Sequence, residues 1–151
     1  MNRFMGKLLK SDAFDRFLLR EGTVRTFMDF SYSGEIHADY FDTEERSELQ
    51  KYARWCDVKD NILGLIRGKH TPLFIQLSFL ADEELKRSTM GDGETGIFSL
   101  SMGFTYKNGQ ATITTGIYRS TFSLDKEPEK KWDAAVERFL TENDINFEEM
   151  V

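Results

Sequence analysis

The sequence predicts an α+β fold: an antiparallel sheet of about four to six strands with helices packed on one face. Three observations carry this expectation. Leu73, Ile75, Leu77 and Phe79 alternate with other residues at the period of two expected for a half-buried strand, and Phe98, Leu100, Met102, Phe104 and Tyr106 do the same. Asn108-Gly109 follows the second stretch and marks a hairpin, because both central positions of a type I′ turn need positive φ. The strands read as hairpin-linked and one-sided, which favours antiparallel pairing under a layer of helices.

Taken in order, residues 2–10 carry Phe4, Leu8 and Leu9 at helical spacing. Residues 15–32 read as extended, with Val24, Thr26, Met28, Phe30 and Tyr32 in period two and Gly22 marking a bulge or turn. Ser33-Gly34 turns the chain toward a short strand at Glu35-Ile36-His37. A helix capped by Asp42 or Thr43 follows. Glu44 and Glu45 sit in its first turn, where the dipole favours acids, and Leu49, Tyr52, Ala53 and Cys56 form its apolar face. A second helix from Asp57 repeats the pattern through Val58, Ile62, Leu65 and Ile66, with Gly68 as the C′ residue.

The strand at residues 72–80 comes next, then a short helix over Asp82 to Thr89 and a loop at Gly91-Asp92-Gly93. The return strand of the hairpin begins at Gln110. Its apolar phase runs through Ala111 and Ile113 and switches to Tyr118, Phe122 and Leu124, so a bulge is expected at Gly116. A closing helix from Pro128 to Asn143 carries Trp132, Ala135, Val136, Phe139 and Leu140 as its stripe.

Several of these segments resemble one family. Phe4-Met5-Gly6-Lys7-Leu8-Leu9 with Phe14-Asp15-Arg16-Phe17-Leu18 resembles the opening of a family of small uncharacterised bacterial proteins, a domain of unknown function. Leu65 through Leu73 resembles its central segment. Thr114-Thr115-Gly116, Thr121 through Lys126 and Trp132-Asp133 resemble its C-terminal part. The likeness covers nearly the whole chain. It implies one domain at residues 1–151 and brings no catalytic residue with it.

Composition narrows the function classes. The 151 residues are 40% hydrophobic and 30% charged, which suits one folded domain that needs no metal or disulfide staple. The 13 phenylalanines predict an aromatic core. A net charge of -6 argues against nucleic acid as a partner. The lone Cys56 fits a reducing cytoplasm, and no apolar run reaches the length of a membrane span. The charged N-terminal residues do not form a signal peptide.

The chemistry-bearing residues are few. Zinc needs three or four ligands, whereas the chain has two isolated histidines, His37 and His70, and one cysteine. Cys56 sits at an apolar helical position and reads as a packed hydrophobe rather than a nucleophile. Gly91 to Gly96 lacks the Gly-Lys-Ser/Thr ending and following helix of a phosphate loop, and Asp92 with Glu94 lacks the ligand spacing of a calcium loop.

Arg67-Gly68-Lys69-His70-Thr71-Pro72 places two cations and a histidine at a helix-to-strand junction. They either complement the helix dipole or contact an acidic partner. Residues 97–124 contain no acid but carry Lys107 and Arg119 beside Tyr106 and Tyr118, an arrangement that either packs or stacks bases.

By elimination, the sequence points to a non-enzymatic protein-binding or regulatory module. Its candidate contacts are Arg67, Lys69, His70, Lys107 and Arg119, with no catalytic residue, metal or cofactor and as a monomer or homodimer. The alternative is a small-ligand protein or enzyme with a pocket between sheet and helices. Single-stranded nucleic-acid binding ranks third because of the charge.

Overall fold

The computed structural model describes residues 3–92 and 96–150. The chain runs α1 (Arg3–Leu9), β1 (Leu18–Arg25), β2 (Asp29–Ser33), β3 (Ala53–Arg54), α2 (Trp55–Ile66), β4 (Phe74–Leu80), α3 (Glu83–Met90), β5 (Ile97–Lys107), β6 (Gln110–Arg119) and α4 (Glu127–Glu142). The strand order is β2-β1-β4-β5-β6 and every pairing is antiparallel. β4 takes one edge of β1 for its full length, so β2 and β3 share the other.

The registers sort the side chains into rows across the sheet. Phe30, Val24, Ile75, Tyr106 and Ala111 form one row, and Tyr32, Gly22, Leu77, Phe104 and Ile113 form another. These rows pack into the core with the helices above them. The rows between them are small and polar: Ser31, Thr23, Gln76, Thr105 and Thr112, then Ser33, Glu21, Ser78, Gly103 and Thr114. The fold is thus α+β with one sheet face under helices and the other polar, as the period-two pattern requires.

Two tryptophans anchor the helix layer. Trp55, at the start of α2, is fully buried; its indole N–H donates to the Leu8 carbonyl at 2.8 Å and its ring meets Phe79 edge-on. Trp132 of α4 donates to the Ser101 carbonyl at 2.7 Å. Each buries a large ring and satisfies its one polar atom. Phe14, Phe17 and Phe139 complete the aromatic core, with Phe139 edge-on to both others.

The β5–β6 hairpin forms as the sequence requires: Asn108 and Gly109 have φ of 54° and 77°, and Lys107 pairs Gln110. Helices α1, α3 and α4 lie where periodicity places them, and Asp82 caps α3 by accepting from the Leu85 amide. Gly68 takes positive φ beyond the end of α2.

Other expectations give way. The extended stretch at residues 15–32 is a hairpin, turning at residues 26–28. Its bulge lies at Arg20 rather than Gly22, and the extra residue lets Leu19 and Val24, five apart, share the core face. Glu35 makes only an isolated bridge to Tyr52. The expected helix through Leu49 and Cys56 is replaced by short 3₁₀ turns at Ala38–Tyr40 and Arg46–Glu48 and by β3. Cys56 is therefore exposed rather than packed, because α2 begins at Trp55 and turns that side outward.

β6 keeps one phase through Ala111, Ile113, Thr115 and Ile117, with no bulge at Gly116. The irregularity lies opposite, between Ile97 and Ser99, and turns Phe98 out to 67% exposure. Leu73 precedes its strand and is also exposed, as are Phe122 and Leu124 beyond β6. Gly93, Glu94 and Thr95 lie outside the described residues.

Among the described glycines Gly34 has the tightest surroundings. Its N–H donates to the Arg20 carbonyl at 3.0 Å and its carbonyl accepts from the Ala53 amide at 2.8 Å, so it links the β2 and β3 ends of the edge. A Cβ there would lie 1.7 Å from the Leu19 carbonyl oxygen. Gly34→Ala is expected to cost about 3 kcal/mol or more in urea denaturation, since backbone must move. Gly64→Ala, on the exposed side of α2 with nothing within 4 Å, should instead add up to about 1 kcal/mol. Equal effects at the two sites would refute the close approach at Gly34.

Candidate functional site

The structure places four of the five candidate contacts at one end of the sheet. Arg67 caps the C-terminus of α2, Lys69 and His70 follow it, and β4 begins at Phe74 opposite Lys107. All four side chains belong to exposed residues. Among the described residues no salt bridge reaches Arg67, Lys69 or Lys107.

An apolar group that the sequence pattern did not single out shares this end. The β1–β2 turn brings Phe27 at 90% and Met28 at 50% exposure to the same edge. Leu73 joins them through its amide, which donates to the Arg25 carbonyl at 2.9 Å, and is 64% exposed. Arg25 adds no free charge, because Asp29 holds it at 2.7 Å while its guanidinium lies over the Phe74 ring.

Arg119 is elsewhere. It pairs with Ile97 at the far end of β5, roughly 30 Å of strand from Lys107. It is half-buried, donates to the Asp125 carbonyl at 3.0 Å and forms an ion pair with Glu129 of α4. Its charge is neutralised by Glu129 of α4. Tyr106 and Tyr118 are also separated: Tyr106 packs on the core face, whereas Tyr118 lies on the open face beneath the Arg20 guanidinium. They do not form one stacking platform.

The far end carries a second feature. Asp82, the buried cap of α3, accepts from Arg16 at 3.2 Å and from Arg54 at 3.4 Å as well as from the Leu85 amide at 2.8 Å. Beside it opens a groove of about 760 Å³ lined by Arg20, Tyr52, Arg54, Asp82, Phe98 and Tyr118, among others. It lies off the open sheet face rather than between sheet and helices, and neither histidine nor cysteine lines it. Burial raises the Asp82 carboxyl, but the Leu85 amide and the two guanidiniums outweigh it and hold the group below the ordinary aspartate range. Asp82 is thus a fixed anion and not a proton carrier. Sequence spacing cannot reveal this cluster, since its members lie on three separate segments.

His37 and His70 are both exposed, and no group of three or more metal-binding side chains occurs among the described residues. Although Cys56 is exposed, partial desolvation at the start of α2, with Asp57 and Asp15 nearby, pushes its thiol up, which disfavours the thiolate a nucleophile needs. No helix among the described residues is long and apolar enough to cross a membrane.

These features define an α+β protein built on one six-stranded antiparallel sheet. The chain belongs to DUF5721, a family of unknown function whose model matches residues 7–148, so the resemblance seen in the sequence is borne out. Neither the curated proteins nor the solved structures give a match to it.

Asp82→Ala should cost about 2–3 kcal/mol, from the lost cap and the two unpaired arginines. Asp82→Asn should cost less, since asparagine also caps. Because the folded-state pKa is depressed, the charge contribution is full above the ordinary value of about 3.9 and fades as pH falls through the lowered one. Urea denaturation of wild type and Asp82→Asn from pH 7 to 3 tests this: the gap should narrow toward acid, and a constant gap would remove the charge argument.

Proposed function

We propose that this chain is a single-domain, protein-binding module that contacts an acidic partner through the end of the sheet formed by the β1–β2 turn, the α2–β4 loop and the β5–β6 hairpin. The observation that carries the reading is the exposure of Phe27, Met28 and Leu73 beside Arg67, Lys69 and Lys107, which no acid among the described residues neutralises. Apolar and aromatic anchors in the middle of a patch supply binding energy when desolvated. Cations around them steer a partner of opposite sign and fix its register. Arg67, Lys69 and Lys107 have this role, with His70 as a polar contact beside them; Arg119, bound to Glu129, does not. The exposed thiol of Cys56 fits a reducing compartment, and on that support we place the module in the cytoplasm.

A second reading rests on the groove beside Asp82. Arg20 over Tyr118 and Lys51 over Tyr52 give it two cations backed by rings, a setting for a small planar anion. A thermal-shift screen of metabolites separates it from the first, because a ligand of the groove raises the melting temperature of the isolated chain.

The first reading predicts that a partner retained by the tagged wild-type chain at fixed stoichiometry is lost with Lys69→Glu and with Phe27→Ser. Both variants should keep their melting temperature within a few degrees, since the two side chains are exposed. Retention of the same partner by both variants, measured by quantitative mass spectrometry of the captured proteins, would exclude this surface.

A further inference from the structure

The two outer edges of the sheet are unequal. The β2 edge is short, five residues, and the chain covers its continuation with β3. The β6 edge is ten residues long and is the last strand in the order. Its sequence, QATITTGIYR, contains no proline and no lysine, and its register against β5 is unbroken from Tyr118 to Gln110. Among the described residues no backbone hydrogen bond from outside β5 reaches Gln110 through Tyr118. Exposed edges of this length are normally blunted by shortness, charge, proline or a bulge, because their unpaired N–H and C=O groups template another strand. This edge carries none of those devices along its first nine residues.

Something else flanks it. A groove of about 1050 Å³ runs along the edge, between β6 and the chain at residues 145–150. Successive residues of β6 line it, Ala111 and Ile113 of the helix face as well as Thr112 and Thr114 of the open face. A groove bordered by both faces follows the strand's edge. Its apolar lining comes from Phe4, Ile113, Val136, Ile145, Phe147 and Met150. Its charged lining is wholly acidic: Asp133, Glu137, Glu148 and Glu149. Glu149, with burial, the shared hydrogen bond and Asp133 behind it, pushes the Glu137 carboxyl up, the mark of like charges held together without a cation.

We propose that the β6 edge is a strand-addition site for an extended basic segment of another protein, which pairs with Gln110–Tyr118 and sets lysine or arginine side chains against the acidic wall. Backbone bonds supply affinity in this mode and side-chain pockets supply selectivity. A second copy of this chain suits the edge less well. Antiparallel β6–β6 pairing would bring two acidic walls together on molecules that each carry a net charge of -6, and β6 itself offers only Arg119, already bound to Glu129. The site adjoins the surface assigned above at the β5–β6 hairpin, where Gln110 pairs Lys107. It uses the β6 edge and the acidic wall rather than Phe27, Met28, Leu73 and the basic side chains, so different variants test the two.

The test uses a synthetic peptide of alternating valine and lysine, eleven residues long, titrated into the full chain by fluorescence anisotropy. Two control peptides accompany it: one with every lysine replaced by glutamate, and one with alternate backbone amides N-methylated. The lysine peptide should bind with an affinity that falls as salt rises, and neither control should bind. Hydrogen exchange at 110–118 should slow in its presence. Glu137→Gln combined with Glu149→Gln, two surface changes that leave the core intact, should weaken binding about tenfold, whereas Lys69→Glu should not.

Equal binding of the N-methylated peptide would overturn strand addition, and equal binding of the glutamate peptide would overturn the acidic selection. Absence of binding, or sedimentation as a dimer with residues 110–118 protected before peptide is added, would overturn the proposal outright.

Discussion

The carboxylate of Asp82 ties together parts of the chain that no regular element connects. It ends β4, begins α3, and holds the guanidiniums of Arg16, before β1, and Arg54, at the start of α2. A buried carboxylate is tolerable only when its oxygens are fully engaged, and here one amide and two guanidiniums engage them. The arginines keep part of their surface in water, at 47% and 37% side-chain exposure, so the cost of desolvation falls mainly on one ion. Trp55, one residue beyond Arg54, then enters the core at a fixed depth and bonds α1 through Leu8. The helix layer is thereby registered on the sheet from this corner.

The same corner explains how much of the fold was legible in the sequence. Elements whose own pattern dominates were readable: the Asn108-Gly109 hairpin, the alternation of β4 and the stripe of α4 each follow from local chemistry. The segment before α2 was not. Leu49, Tyr52, Ala53 and Cys56 fall at helical spacing, yet β1 claims Ala53 and Arg54 as strand partners, and tertiary pairing overrides the period. The bulges were misplaced for a related reason. A break in apolar phase shows that a slip exists but not which strand of the pair absorbs it; β5 takes it beside Ile97, and β6 runs straight.

The candidate contacts were partly legible. Arg67, Lys69 and His70 announce themselves as a basic run, and the register of Phe74 with Lys107 brings the hairpin to them. Phe27 and Met28 were read as part of a strand, because their exposure depends on a turn without glycine or proline. Arg119 looked available because its neutralising partner, Glu129, sits ten residues on and in a different element. Charge segregation along a sequence says which segments differ in sign, and folding decides which of them cancel.

The sheet order also has a kinetic consequence. The central pairing joins residues 60 apart, Leu19 with Phe79, while the hairpin joins residues 9 apart, Phe104 with Ile113. Closing the longer loop costs about 1.7 kcal/mol more in chain entropy. The β5–β6 ribbon is therefore the natural early piece, formed from local contacts with its turn already disposed to close. During synthesis β1 can close on β2 at once, but its other edge must wait until β4 emerges. The edge of β1 that faces the middle of the finished sheet is the one that stays longest without its partner.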